Sequence, residues 1–139
     1  MKVQTGIGLD IHALEPGEGL MVGGLLIPAS VRSVGHSDGD ALIHALVDAL
    51  LGAAGLGDIG TFFSSDDPAW KNAPSEIFLQ DAVKKVRSAG FRIDHVDATV
   101  ILQQPRLQDA TASIRENLAR LLGVETGNVS VKATTTDHL

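Results

Sequence analysis

Histidines and aspartates carry the chemistry open to this chain, and two short stretches hold most of the candidates. Asp10-Ile11-His12 ends a run, Val3 to His12, that alternates with period two, the pattern of a strand. Ile7, Leu9 and Ile11 then face one side, and Gly6, Gly8, Asp10 and His12 the other, with Asp10 and His12 about 6.6 Å apart by the strand rise. The two glycines leave that face open. The second stretch, His36-Ser37-Asp38-Gly39-Asp40, leads into a helix of Ala, Leu, Ile and Val whose exceptions, Asp40, His44 and Asp48, form one polar stripe. A helix apolar elsewhere is buried, and a buried polar stripe is costly unless something pairs with it. Asp10, His12 and His44 would make a one-carboxylate, two-histidine set with a position left open, the arrangement of a catalytic zinc. Asp38, Asp40 and Asp48 are further candidate ligands. His36, just before the helix, is better placed for an anion at the positive helix end. A capped core helix with a hydrogen-bonded histidine is the competing account of the same residues.

Other elements must hold these stretches in place. A hairpin is expected over 20–29, turning at Gly23-Gly24. After the central helix, Gly55 to Gly60 is a glycine-rich loop that permits close backbone approach to a ligand. Residues 61–74 read as a long irregular loop, of the length of a binding lid. An amphipathic helix follows over 75–89 and stops at Gly90. A second long strand, Val96 to Leu102, ends at Gln104-Pro105-Arg106. Residues 109–122 read as a scaffolding helix, and Val129 to Ala133 as a strand running into Thr134-Thr135-Thr136-Asp137.

At 139 residues the chain is expected to be one α/β domain spanning 1–139, with a mixed sheet and helices. Hydrophobic residues make up 44% but aromatics only 4%, so the core must be aliphatic. An all-apolar helix in so small a domain points to subunits burying surface against each other. The net charge of −6 argues against general binding to nucleic acid or an anionic membrane. Without cysteine there are no disulfides, and any zinc site must use histidine and carboxylate. No signal peptide and no membrane-length apolar run stands out, so a cytoplasmic protein is expected, or a plastid one in a plant.

Asp10-Ile11-His12, His36-Ser37-Asp38-Gly39-Asp40 with His44, Asp58-Ile59-Gly60 and Lys132-Ala133-Thr134-Thr135-Thr136 occur in an order and at separations that resemble the 2-C-methyl-D-erythritol 2,4-cyclodiphosphate synthase family of non-mevalonate isoprenoid biosynthesis. The resemblance runs from about residue 3 to the end. It implies a homotrimer of α/β subunits, helices on one side of the sheet, and active sites between subunits. It implies zinc on Asp10, His12 and His44, and a diphosphate contacted by His36 and Ser37. His36 and Thr135 take the positions that stabilise the transition state. Asp58, Ile59 and Gly60, with Phe63, Ser64, Ser65, Asp66 and Asp67, match the segments around the methylerythritol part. Leu102, Gln103, Gln104, Pro105, Arg106, Leu107 and Gln108, with Thr134, Thr135, Thr136 and Asp137, match those that hold the cytidine nucleotide. A second cation, magnesium or manganese, would bridge the diphosphate near Asp137.

Four departures mark this chain. Asp137 stands for an expected glutamate, Ser64-Ser65 for Pro-Asp, and Arg106 for lysine, which keeps the charge but not the geometry. The family's final segment, a Gly/Arg/Glu-rich turn and a last strand, is missing here, as a truncated sequence, a disordered tail or a short variant would each explain. The implied reaction is intramolecular attack of the 2-phosphate on the β-phosphate of the cytidine diphosphate arm, releasing CMP. The rival functions are a zinc-dependent phosphohydrolase on the same ligands and a non-catalytic nucleotide-binding protein.

Overall fold

The computed structural model describes residues 1–139. Four strands open the ordered structure: β1 (Leu14–Pro16), β2 (Gly19–Val22), β3 (Leu25–Pro28) and β4 (Val31–Ser33). β2 and β3 form the expected hairpin, with Gly23 and Gly24 both at positive φ (63° and 83°), the geometry of a tight primed turn. β1 pairs antiparallel with β4 outside it, so two nested antiparallel ladders precede the first helix. The helices follow as α1 (Ala41–Ala53), α2 (Ile59–Phe62), α3 (Glu76–Ser88) and α4 (Thr111–Leu122). β5 (Val96–Ile101) and β6 (Val129–Thr134) pair in parallel, and α4 makes the crossover between them.

The core is aliphatic, as the composition requires. Ile43, Val47 and Leu51 of α1, Leu79 and Ala82 of α3, and Ile114, Leu118 and Leu122 of α4 are all fully buried. α1 packs on α3, whose apolar face meets it, and α3 also packs on α4. Asp40 is fully buried at the head of α1. Its carboxylate accepts from the backbone N–H groups of Ile43, Gly23 and Gly24, at 3.0, 3.0 and 2.7 Å. One side chain thus caps the helix and pins the hairpin turn to it. Burial pushes the Asp40 carboxyl above its ordinary value, against those three donors.

Four sequence expectations change. Residues 3–12 carry no ladder, and sheet structure begins only at Leu14. The alternation is nonetheless real, since Ile7, Leu9 and Ile11 are 92%, 77% and 82% exposed while Gly8, Asp10 and His12 are partly covered. The glycine face is not open: a Cβ at Gly6 or Gly8 would run into the carbonyl oxygen of Ala49 or Ala45 in α1. Glycine is what lets this segment lie against the helix. A groove of about 670 Å³ is lined by residues 6–12 and by 97–103, so the segment has no strand beside it to pair with. The expected mixed sheet is accordingly three separate two-stranded ladders, two antiparallel and one parallel. The loop over 61–74 is also less irregular than expected. It is entered through α2, capped by Asp58, and contains a 3-10 turn, Pro68–Trp70, capped by Asp67. No helix is long and apolar enough to cross a membrane.

Candidate functional site

Asp10 and His12 arrive on the unpaired N-terminal segment, and His44 from the first turn of α1. The glycine contacts bring the segment close enough for all three to meet: one ligand atom from each lies within 4.8 Å of the others. Asp10 Oδ2 is 2.6 Å from His12 Nε2 and 3.4 Å from His44 Nδ1, and the two ring nitrogens are 3.3 Å apart. The far nitrogens face elsewhere. His12 Nδ1 is 2.9 Å from the Val34 carbonyl oxygen, which only accepts, so Nδ1 carries the proton. In a neutral ring that leaves Nε2 as a bare lone pair aimed at a carboxylate oxygen.

Asp10 Oδ2 is buried and receives no hydrogen bond. Converging lone pairs around an orphaned carboxylate oxygen need a cation, either extra protons on the rings or a metal ion. One carboxylate and two imidazoles suit a divalent metal with a position left for a further ligand. Burial pushes the Asp10 carboxyl up. The neighbouring His44 and His12 rings outweigh it and hold the group below its ordinary value.

The turn 36–40 lies against the segment before α3. His36 accepts from Asn72 N–H at its carbonyl (2.7 Å), and Asp38 N–H donates to the Ala73 carbonyl (3.1 Å). His36 Nε2 also meets the Asp67 carbonyl oxygen at 2.8 Å, which ties the ring to the 63–67 loop. Ser37 Oγ is 3.2 Å from His44 Nε2. Asp58 caps α2 through Thr61 N–H and Oγ1, and these bonds pull its carboxyl below the ordinary value. Phe63 stacks against Phe78 and meets Trp70 edge-on, and Lys85 stands 4.5 Å over Phe62. Four of the five aromatic side chains therefore anchor this loop.

The two segments expected at the nucleotide also meet. Leu102 N–H donates to the Thr134 carbonyl (2.9 Å), continuing the β5–β6 pairing. Gln103 Oε1 accepts from Thr136 Oγ1 and His138 N–H. The Gln104–Pro105 peptide is cis, and Asp137 sits at φ 56°, with its N–H on Thr135 Oγ1. No hydrogen bond or ion pair joins this set to the Asp10–His12–His44 cluster. The groove of about 670 Å³ nevertheless touches both, through Asp10 and His12 and through Gln103 and Thr136.

The other carboxylates considered as ligands are engaged. Asp40 holds the hairpin turn, Asp48 accepts from Ile59 N–H (2.8 Å) at the start of α2, and Asp38 accepts from the N–H and hydroxyl of Ser75. Ser75 is fully buried, 2.8 Å from His44 Nε2, and the sequence did not mark it. Its only visible signal was a serine at a helix start with Phe78, not Glu or Gln, at the position that would complete a capping box.

This arrangement has close relatives. A 2-C-methyl-D-erythritol 2,4-cyclodiphosphate synthase of Ralstonia nicotianae is 48% identical over 139 residues, covering 100% of this chain and 83% of the relative. A chloroplastic synthase of the same name from Arabidopsis thaliana is 48% identical over 97% of this chain and 58% of its own length. A solved 2C-methyl-D-erythritol-2,4-cyclodiphosphate synthase in a CDP-bound form superposes with a TM-score of 0.92 at 39% identity, over 97% of this chain and 90% of that one. The YgbB family model matches residues 3–139, and with these relatives it shows that the chain belongs to that family, the 2-C-methyl-D-erythritol 2,4-cyclodiphosphate synthases.

Proposed function

We propose that this chain converts 4-diphosphocytidyl-2-C-methyl-D-erythritol 2-phosphate into 2-C-methyl-D-erythritol 2,4-cyclodiphosphate and CMP. The observation that carries the reading is the convergence of Asp10, His12 and His44 around an orphaned carboxylate oxygen, in a chain of this family. An oxygen of the 2-phosphate forms a bond to the β-phosphorus as the bond to the bridging oxygen of CMP breaks, and CMP departs with that electron pair. Zinc held by the three side chains would neutralise charge on phosphoryl oxygens. His36 and Ser37, fixed by the 72–73 and 67 carbonyl and amide contacts, orient the diphosphate beside it. Asp58–Gly60 and Phe63–Asp67 hold the methylerythritol part. Leu102–Gln108 and Thr134–Asp137 hold the cytidine arm, with Thr135 on the transferring phosphoryl group, and Asp137 would hold a magnesium or manganese ion that supplies further charge neutralisation on the diphosphate. No protein nucleophile is required, because the attacking phosphate is tethered and gains the effective molarity of an intramolecular reaction.

Within one chain the cytidine set makes no direct bond to the metal cluster. This supports a homotrimer in which the two sets face each other across subunit boundaries. The exposed row Ile7, Leu9 and Ile11 is apolar surface that favours assembly. Light scattering should give the mass of a trimer, and a stable monomer at micromolar concentration would overturn the assembly. The compartment is that of the host, cytoplasm in a bacterium and plastid in a plant, in keeping with the chloroplastic name of the plant relative. Turnover in oxygen-18 water is the test of the chemistry. CMP and cyclic product free of label are expected, and labelled phosphate or a linear product would hand the site to the phosphohydrolase reading.

A further inference from the structure

A buried serine is used here in an unusual way. Ser75 occupies the N-cap position of α3, yet its side chain makes no capping hydrogen bond. Its hydroxyl lies between two other groups: the Asp38 carboxylate, to which it donates, and His44 Nε2 at 2.8 Å. A serine hydroxyl has one proton. With that proton on Asp38, Ser75 Oγ can only accept from His44, so the His44 proton must sit on Nε2. Asp38 is itself held in place, accepting from Ser75 N–H at 2.9 Å and Asp40 N–H at 3.1 Å. The carboxylate also lies at the positive end of α3, which favours its charge.

We infer that Ser75 and Asp38 are positioning residues for the metal centre: the chain Asp38–Ser75–His44 fixes the His44 tautomer so that Nδ1 is the bare nitrogen facing Asp10 and His12. The arrangement parallels His12, whose Nδ1–H is held by the Val34 carbonyl and whose Nε2 faces inward. The two histidines would therefore bind through different ring nitrogens, each set by what its far nitrogen touches. Such outer partners orient a ligating ring and raise its basicity, and their loss weakens metal binding by about 10- to 100-fold. Ser37 Oγ, 3.2 Å from the same Nε2, is the alternative acceptor once Ser75 is gone. It places the expected loss toward the lower end of that range.

This inference rests on the metal reading of the three-residue cluster, and the experiment separates the two. Zinc affinity is measured by competition with a chromophoric chelator for the wild-type chain, Ser75→Ala and Asp38→Asn. The apo wild-type His44 ring is read by long-range proton–nitrogen correlation NMR. The expected results are tight zinc binding by the wild type, about a 10-fold or greater loss in Ser75→Ala, and a smaller loss in Asp38→Asn, whose amide oxygen still accepts from Ser75. The apo ring should carry its proton on Nε2. A wild type that binds no zinc sinks the metal reading itself. A wild type that binds zinc no more tightly than Ser75→Ala, or a His44 ring protonated on Nδ1 alone, overturns only the positioning role. Should Ser75→Ala fail to fold, the wild-type NMR measurement still decides. A merely structural serine would lower the melting temperature without moving tautomer or affinity.

Discussion

Helices α1 and α3 each begin at a fully buried residue of capping type, and the two residues do opposite things. The Asp40 carboxylate accepts from the Ile43, Gly23 and Gly24 amides and makes no bond to Asp10, His12 or His44, so that side chain builds scaffold. Ser75 leaves the helix amides alone and bonds to Asp38 and His44. Both are fully buried and both are of a type that caps helices, so neither property marks function. What separates them is the destination of the polar atoms: backbone in one case, a ligand histidine in the other.

The sharpest way to break the contrast is to remove one residue on each side of it. His44→Ala should lose bound zinc and turnover together, by about 10³-fold if the metal supplies several kcal/mol of charge stabilisation, while its unfolding midpoint changes far less. Asp40→Ala should do the reverse. It orphans three backbone amides, two of them in the hairpin turn, and should cost about 3–5 kcal/mol of stability in urea unfolding. Full zinc occupancy in His44→Ala, or an unchanged urea midpoint in Asp40→Ala, would erase the distinction.

Glycines extend the contrast at smaller scale. Gly8→Ala puts a Cβ into the Ala45 carbonyl and must lift the segment bearing Asp10 and His12 off α1. A cost of about 1–3 kcal/mol and weaker zinc binding should appear together. Gly52, late in α1, has open space where its Cβ would be, so Gly52→Ala should stabilise by about 0.4–1 kcal/mol with zinc affinity unchanged. Differential unfolding and the chelator assay read both variants.

The smallest expected effect concerns a third cap. Asp58 is exposed, and its carboxyl is pulled below the ordinary 3.8 by the Thr61 hydroxyl and amide, where buried Asp40 is pushed above it. For Asp58 the stabilisation is present above the unfolded value and is lost as pH falls through the lower folded value. Thr61→Val should raise the Asp58 carboxyl toward 3.8 in a carbon-detected NMR titration. No change would show that the hydroxyl is idle.

These residues also show what the sequence could and could not disclose. Helices α1, α3 and α4 and the Gly23-Gly24 hairpin were legible because their signals are local: periodicity, a glycine stop, a two-glycine turn. The 3–12 segment was misread as a laddered strand because alternation reports sidedness, while a ladder needs a partner that period two does not reveal. The Asp10–His12–His44 set was proposable from type and spacing. Its neighbours were not, since Ser75 lies 31 residues from His44 in sequence and reads as an ordinary cap. Asp38, Asp40 and Asp48 were equal candidates on paper, and only their hydrogen-bond partners assign each its task.

The loop beside His36 offers one more consequence, an optical one. The chain has a single tryptophan and no tyrosine, and Trp70 sits in the 3-10 turn, edge-on to Phe63 and Phe78. Ultraviolet emission excited at the red edge of the protein band therefore originates at one point, a few residues from the Asp67 carbonyl that meets the His36 ring. Polarity around that indole changes whenever the loop shifts on its aromatic seat. An unlabelled sample thus reports the packing of this loop through the wavelength of its own fluorescence, with no competing emitter elsewhere in the subunit.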